Sequence, residues 1–278
     1  MSELSPQAPA APEQAIGGET SLSDITRRFS GLDRLYGPAG ALRIRSAHVA
    51  VVGIGGVGSW AVEALARSGV GQLTLIDLDH VSESNINRQI HAMTHTVGQA
   101  KVFAMRDRIS QIHPHCVVRC VEEFVDTNNW PSLLDTRVDA VIDACDQTAA
   151  KTVIAAWALA TGTLHVAVGA AGGKRQAHKV DIDDLAHCTH DPLLAQLRYR
   201  LRKEHGAARD GKKMGVTSVF SREAVSRPDS SSEDQGDGSL NCHGYGSVVA
   251  VTATFGQCAA GWVLEKVAAG VSAKKIAL

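Results

Sequence analysis

A glycine-rich turn near residue 55 combines residue types and spacing that could do chemistry. The chain reads GIGGVGS between an apolar run at 46–52, SAHVAVV, and a helical pattern that begins WAVEALARSG. Glycines at a strand–turn–helix junction let the backbone approach a phosphate, and the helix N-terminus supplies aligned N–H groups. A turn needed only for tight packing is the alternative interpretation. The turn predicts a nucleotide site with phosphate-facing glycines at Gly53, Gly55, Gly56 and Gly58.

Charged and polar side chains follow the next apolar run, QLTLID. Asp77 ends it and Asp79 comes two residues later, where a carboxylate often hydrogen-bonds a ribose in dinucleotide enzymes. A dehydrogenase is therefore one alternative. The residues that come next favour a triphosphate, because cations there can neutralise the outer phosphates and a leaving pyrophosphate. These residues are Asn85, Asn87, Arg88, Gln89 and Lys101.

A lone carboxylate, Asp146, follows the run DAVIDAC. Open α/β sheets bind ligands at the carboxyl ends of their strands, so Asp146 is expected at the nucleotide. Mg²⁺ takes one or two protein carboxylates together with phosphate oxygens. Asp146 is therefore the expected Mg²⁺ ligand.

Alternating strand and helix patterns must position these residues. Apolar β-rich runs lie near 46–52, 72–77, 116–121, 139–145, 163–169 and 215–221, and helical patterns separate most of them. This rhythm predicts an α/β fold with a Rossmann-like, doubly wound, mostly parallel sheet. A C-terminal extension follows, with a basic helix at 191–206 and a final apolar helix at 248–269.

The amino-acid composition excludes some classes of protein. The 278 residues carry 28 Lys plus Arg and 29 Asp plus Glu, which excludes a uniformly basic nucleic-acid coat but permits a local basic patch. The six cysteines form no CxxC pair, which favours reduced thiols and a cytoplasmic protein. No signal-peptide pattern opens the chain. The apolar stretch after Ser247 is interrupted by Gly256 and Gly261, which favours a buried helix over a membrane span.

Four motifs in order carry a family resemblance: VVGIGGVGSWAVEALARSGVGQLTLIDLD, SNINRQIHA, VGQAK and VIDACDQ. They resemble the adenylating domain of the ubiquitin-activating-enzyme superfamily, which includes the molybdopterin- and thiamin-synthesis adenylyltransferases. Further segments are most similar to the tRNA threonylcarbamoyladenosine dehydratases. These segments are RRFSGLDRLYG, NRQIHA, GAAGG, DPLLAQLRYRLRKEHG, KMGVTSVFSREAV and GYGSVVAVTATFG.

The resemblance implies an enzyme, a ligase-type cyclase that uses ATP and Mg²⁺. Its substrate would be tRNA bearing N6-threonylcarbamoyladenosine at position 37. ATP would adenylate the threonyl carboxylate with loss of pyrophosphate, and ring closure would release AMP, for a net loss of water. The Pro-, Ala- and Ser-rich stretch at 1–23 lies outside the resemblance, and its composition predicts a disordered tail. The resemblance implies an ATP-binding adenylating domain at 24–173 and a tRNA-binding and dimerisation extension at 174–278, packed on the same sheet.

Matching motif positions imply individual roles. Gly56 would lie at the phosphates, Asp77 at the ribose, and Ser84 to Arg88 along the nucleotide. Lys101 would contact phosphate and Asp146 would hold Mg²⁺, with a monovalent cation as a further cofactor candidate. Arg34 resembles an arginine that reaches into the neighbouring subunit's site, and Arg28 is the alternative. The resemblance thus implies a homodimer with catalytic residues Arg34, Arg88, Lys101 and Asp146.

A basic stretch in the extension gains an interpretation from the resemblance. It would bind phosphates of the tRNA anticodon stem-loop, although an ordinary solvated helix face is the alternative. Its candidate residues are Arg198, Arg200, Arg202, Lys203, Lys212 and Lys213. Trp60, Tyr199 and Tyr245 are candidates for base stacking.

Cysteine usage departs from several superfamily members. Zinc-bearing relatives have two CxxC pairs, so their absence predicts no structural zinc. Cys242 in NCHGYG is a candidate nucleophile, with an inert loop thiol as the alternative. A cysteine-desulfurase or sulfur-acceptor system is a further candidate partner, and no membrane partner is expected.

Other functions share much of this site. An enzyme of the same fold could adenylate the C-terminal glycine of a sulfur-carrier or ubiquitin-like protein. A non-catalytic scaffold or sulfur-relay partner could bind ATP structurally. Loss of ATP turnover in Asp146→Ala would distinguish the two enzymes from the scaffold.

Overall fold

The computed structural model describes residues 22–226 and 245–271. The predicted tail at 1–23, apart from its last two residues, and Cys242 lie outside these ranges. The described strands are β1 (His48–Val52), β2 (Gln72–Ile76), β3 (Val117–Val121), β4 (Ala140–Asp143), β5 (Leu164–Val168), β6 (Val180–Asp184) and β7 (Thr217–Ser221). The main helices are α1 (Leu22–Ser46), α2 (Gly58–Arg67), α3 (Lys101–Ile112), α4 (Thr148–Thr161), α5 (Pro192–Glu204) and α6 (Val249–Ala268).

The strands form one sheet in the order β3-β2-β1-β4-β5-β7-β6. All neighbouring pairs are parallel except β6 and β7. The chain winds outward from β1 to β3 and then returns to place β4 on the other side of β1. The strand order reverses there, which is where doubly wound sheets bind ligands. The predicted fold class is confirmed.

The final apolar helix lies inside the protein. α6 packs against α2 and α1 and contacts the sheet at β5. Ten of its residues are buried, among them Val251, Phe255 and Val263, so the interpretation as a core helix is confirmed. None of the helices in residues 22–226 and 245–271 has the length and apolar character needed to cross a lipid bilayer.

Two glycines permit close approaches around the turn between β1 and α2. A Cβ at Gly58 would lie 1.8 Å from the Gly53 carbonyl oxygen, so the turn closes on itself only without a side chain. A Cβ at Gly256 would lie 2.5 Å from the Val57 carbonyl oxygen, so α6 can pack directly on the first turn of α2. The contact with α6 therefore supports the glycine turn on the side away from the cleft.

The sequence patterns missed two elements. α1 precedes the sheet and is broken at Gly37, whose φ of +69° is followed by Pro38. β6 reads VDIDD, and its residues are all half-buried because it is an edge strand. β6 and β7 extend the same sheet as the preceding strands, and the proposed division at residue 173 stays a prediction.

Candidate active site

A cleft of about 390 Å³ opens at the carboxyl ends of β1, β2 and β4, beside the point where the strand order reverses. It brings together most of the residues predicted to bind the nucleotide. The predicted residues that line it are Gly53, Gly55, Gly56, Asp77, Asp79, Asn85, Arg88, Lys101 and Asp146. Residues that follow different strands in the sequence are therefore close together at the carboxyl ends of the sheet.

Asp77 ties the glycine turn to the end of β2. Its Oδ2 accepts the Ile54 N–H at 2.6 Å and its Oδ1 accepts the Asp79 N–H at 2.8 Å. Burial raises the pKa of this carboxyl, while Lys101 and the two N–H donors oppose that rise. Asp77 thus fixes the shape of the turn in addition to facing the cleft.

Lys101 is the first residue of α3, and contacts with Asp79 fix its position. Its Nζ donates to Asp79 Oδ2 at 2.7 Å, and its backbone N–H donates to the Asp79 carbonyl at 3.0 Å. The lysine side chain is 8% exposed whereas that of Asp79 is 53% exposed. Because Asp79 is exposed, a phosphate oxygen that enters the cleft can replace its carboxylate as the partner of the Lys101 ammonium. The lysine side chain can stay in its buried position during this exchange.

Arg88 is held by its own segment. Its Nη1 donates to the Ser84 carbonyl at 2.6 Å and to Asn87 Oδ1 at 2.9 Å. Asn85 is buried, and its side-chain oxygen accepts the Ser82 N–H at 3.1 Å. Ser84 and Asn87 do not line the cleft, so their contacts with Arg88 give them a supporting position.

Asp146 lies in the loop between β4 and α4, exposed at the cleft. A buried ion pair underlies this loop: Lys151 Nζ donates to the Asp143 carbonyl at 3.0 Å and to Asp143 Oδ1 at 3.1 Å. The Cys145 thiol also donates to Asp143 Oδ1, at 3.0 Å. Burial raises the pKa of that thiol well above its usual range, so Cys145 is a hydrogen-bond donor here and a poor nucleophile.

The donor set indicates how a divalent ion could be held. Among the described residues, no group of three or more His, Cys, Asp or Glu side chains is placed to hold a metal ion. Mg²⁺ at this edge would therefore depend on one or two carboxylates, of which Asp146 is the predicted one, and on phosphate oxygens.

The remaining predicted residues lie away from the cleft of this chain. Gly58 lies behind the turn, and Arg28 and Arg34 lie exposed on α1. The Arg28 guanidinium donates to the Ile112 carbonyl at 3.1 Å. Trp60 is half-buried, and its indole N–H donates to the Arg88 carbonyl, whereas Tyr199 is 63% exposed.

The basic stretch from Arg198 to Lys213, which begins on α5 and continues beyond it, divides into two groups. Arg198 Nη1 donates to the Leu185 and Cys188 carbonyls, and Arg202 Nε donates to the Ala208 carbonyl at 3.1 Å. Both side chains therefore stabilise local structure. Lys203, Lys212 and Lys213 are exposed and Arg200 is half-buried.

Several residues of the cleft were missed at the level of sequence. The segment GAAGG after β5 carried the family resemblance but was given no place in the site, and its residues Gly169–Gly172 form one wall of the cleft. Its position after a strand was the signal that could have placed it there. Thr252 of α6 also lines the cleft, although nothing in the apolar pattern of that helix points to it. The other missed polar or aromatic residues are His80, Ser82, Glu123, Phe124 and Gln147, whereas Gln89 lines the cleft beside Arg88 as its segment predicts.

Two buried histidines make stability depend on pH. Burial lowers the pKa of His91 to about 3 and that of His165 to about 4, from an ordinary value of 6.5. The unfolded chain gains these protons below pH 6.5 while the native chain does not, so stability falls as pH falls from about 6.5 to about 4. We expect His91→Asn to reduce the loss of unfolding free energy between pH 7 and pH 5 by about 2 kcal/mol.

Urea unfolding at the two pH values measures this loss. The exposed His95 offers a matched control, since His95→Asn should retain the wild-type pH dependence. An equal loss of stability in His91→Asn and wild type would contradict the assignment of His91 as a buried neutral group.

Comparisons with known proteins agree with this geometry. A model of the ThiF family matches residues 29–275. The tRNA threonylcarbamoyladenosine dehydratase of Haemophilus influenzae is 39% identical over 247 residues, which are 88% of this chain and 95% of the relative. The protein of that name from Escherichia coli is 42% identical over 258 residues, 89% of this chain and 96% of the relative.

Solved structures extend the similarity to the fold. The E. coli tRNA N6-threonylcarbamoyladenosine dehydratase TcdA in complex with ATP has a TM-score of 0.81 and 40% identity, covering 91% of this chain and 98% of that chain. Its complex with AMP has the same TM-score and 41% identity, over the same shares of the two chains.

The similarity to other adenylating enzymes is shorter. The molybdopterin-synthase adenylyltransferase of Salmonella typhimurium is 41% identical over 108 residues, only 39% of this chain and 43% of the relative. The alternative of a carrier-protein adenylating enzyme is therefore the more distant one. The family predicted from the motifs is confirmed: the chain belongs to the ThiF family and, within it, to the tRNA threonylcarbamoyladenosine dehydratases.

Proposed function

We propose that this chain catalyses the ATP-dependent dehydration of N6-threonylcarbamoyladenosine at position 37 of tRNA. The observation that carries this proposal is the cleft at the reversal of strand order, where the glycine turn meets Arg88, Lys101 and Asp146. A glycine turn with two cations and one carboxylate suits a triphosphate better than a dinucleotide. Full-length similarity to the dehydratases supports the choice of substrate.

The reaction divides into two displacements. A carboxylate oxygen of the threonyl group attacks the α-phosphorus of ATP, and the bond to the bridging oxygen breaks so that pyrophosphate leaves. A nucleophilic atom within the modification then attacks the activated carbonyl carbon and loses its proton, and AMP leaves. The acyl-adenylate converts a poor electrophile into one with a good leaving group. Neither displacement requires an enzyme thiol.

The residues of the cleft supply position and charge. Lys101 and Arg88 neutralise the charge that develops on the departing pyrophosphate, and Asp77 and the glycine turn fix the nucleotide. Mg²⁺, when bound, withdraws charge from the phosphate oxygens, and Asp146 would hold it. We classify the enzyme as a ligase-type cyclase, and Cys242 stays a candidate nucleophile outside the described residues.

We propose a homodimer in the cytoplasm. Arg34 is exposed on α1 and lies outside the cleft of its own chain, which suits an arginine supplied to the site of a second copy. Arg28 stays the alternative. A monovalent cation at the site and a cysteine-desulfurase or sulfur-acceptor partner are further proposals.

The exposed lysines after α5 are proposed to contact tRNA phosphates. Removing one such phosphate interaction lowers the slope of log affinity against log salt by about 1. We therefore expect the double variant Lys212→Ala/Lys213→Ala to bind tRNA more weakly and with a salt slope smaller by about 2. Filter binding at several salt concentrations measures the slope.

A basic residue outside the basic stretch provides the control. Arg137 is exposed just before β4 begins, and β5 separates β4 from β7 in the sheet, so Arg137→Ala removes a charge elsewhere on the surface. An unchanged slope in the double variant, or an equal change in Arg137→Ala, would remove Lys212 and Lys213 from the tRNA surface.

The substrate can be tested by the products of ATP. AMP and pyrophosphate should form with tRNA that carries the modification and not with the same tRNA transcribed without it. AMP formation that instead requires a small protein ending in Gly-Gly would support the carrier-protein alternative and overturn the proposal.

A further inference from the structure

The backbone carbonyl of Arg88 is fixed by two helices that meet behind it. The Trp60 indole Nε1, from α2, donates to this oxygen at 3.0 Å. The Thr252 Oγ1, from α6, lies 3.3 Å from the same oxygen and 3.3 Å from the Val249 carbonyl oxygen of its own helix, so its proton is shared between the two carbonyls. We propose that Thr252 and Trp60 are positioning residues, which set the place of the Arg88 guanidinium at the departing pyrophosphate. This role rests on the proposed function, in which Arg88 acts on the phosphates.

Thr252 is placed to act on both walls of the phosphate end of the cleft. It is fully buried against neighbouring side chains and still borders the cleft. A Cβ at Gly56 would lie 3.2 Å from the Thr252 methyl carbon and 3.4 Å from the Arg88 side chain. The threonine therefore stands where the glycine turn and Arg88 come together, and its hydroxyl faces the arginine backbone.

The chain that enters α6 also holds the neighbours of Arg88. Asn87 Nδ2 donates to the Ser247 carbonyl at 2.9 Å, while Asn87 Oδ1 accepts the guanidinium of Arg88. The Gly173 N–H donates to the Gly246 carbonyl at 2.9 Å, next to the wall formed by Gly169–Gly172. Residues 246–252 thus connect the arginine to the opposite wall of the cleft.

The positioning is indirect, so its loss should affect turnover more than binding of ATP. The glycine turn, Asp77 and Lys101 remain in place when the Thr252 hydroxyl is removed. A buried carbonyl that loses a hydrogen-bond donor relaxes, and the guanidinium of Arg88 moves with its backbone. Small displacements of a charge-neutralising group weaken interactions made in the transition state.

Thr252→Val removes the hydroxyl and keeps the shape of the side chain. We expect kcat for AMP formation on modified tRNA to fall about tenfold and the KM for ATP to stay within about twofold. Thr252→Ser should restore kcat, because it keeps the donor. Thr254→Val is the matched control, since Thr254 is in the same helix and its hydroxyl donates to the Ala250 carbonyl of that helix.

Trp60→Phe removes the second donor to the Arg88 carbonyl. It also tests the positioning role if Thr252→Val does not fold. It should lower kcat by a similar factor, and the loss in the double variant should differ from the product of the two factors, because both donors act on one oxygen. Wild-type kcat in folded Thr252→Val and Trp60→Phe would overturn the positioning role and leave the proposed function intact. An inactive wild-type protein on modified tRNA would overturn both.

Discussion

Asp146→Ala is expected to lower AMP formation by at least about 100-fold while the protein remains folded. Asp146 is exposed in the loop after β4, so its removal leaves no unpaired group in the core. The loop below it is held by Asp143 and Lys151, which the substitution does not touch. The loss therefore reports the charge at the phosphates rather than stability. Rates of AMP formation and the thermal unfolding midpoint measure the two quantities separately.

A second carboxylate at the same sheet edge gives the comparison. Glu122 is exposed after β3 and does not line the cleft, so Glu122→Ala should keep wild-type rates. Wild-type turnover in Asp146→Ala would show that Asp146 has no part in the reaction. A protein without turnover before substitution would instead favour a scaffold that binds ATP structurally.

Lys151→Met is expected to lower the free energy of unfolding by about 3–5 kcal/mol, the largest stability effect we anticipate. Lys151 and Asp143 are both fully buried, and the lysine compensates the aspartate charge. Removing the lysine leaves a buried carboxylate without the ammonium that compensates it. His165 Nε2 lies 4.0 Å from the other carboxyl oxygen, beyond hydrogen-bond distance, and in the wild-type protein burial lowers the pKa of that imidazole to about 4, so Lys151 is the charge that compensates Asp143. Urea unfolding at pH 7 measures the loss.

The double variant Lys151→Met/Asp143→Asn isolates the uncompensated charge. It should recover part of the lost stability, because no ionised group is then buried at this position. Lys203→Met, at an exposed position on α5, should change stability little. A loss in Lys151→Met no greater than that of Lys203→Met would contradict the account of the buried pair.

The nucleotide half of the site could be predicted because local sequence determines it. The glycine turn, Asp77 and Asp146 each follow a strand whose apolar pattern is clear, and parallel strands bring their carboxyl ends to one edge. The start of α5 is similar: Asp191 accepts the Leu194 N–H at 3.0 Å, as an Asp-Pro sequence before a helix indicates.

Residues whose roles depend on distant contacts could not be predicted. Thr252 reaches the cleft only because α6 crosses α2 at Gly256, and an apolar helical pattern carries no sign of that crossing. Arg198 looks like the exposed basic residues beside it, yet two carbonyls outside its helix accept its guanidinium. The edge strand β6 was missed because three of its five residues are aspartates.

The most direct test of the proposed function is the mass of the modified nucleoside. The protein would be incubated with ATP, Mg²⁺ and tRNA that carries threonylcarbamoyladenosine, and the nucleosides would be released under mild conditions and analysed by mass spectrometry. We predict the loss of one water from threonylcarbamoyladenosine, only when ATP is present and only with Asp146 intact. An unchanged nucleoside after incubation with folded, ATP-binding protein would contradict the account.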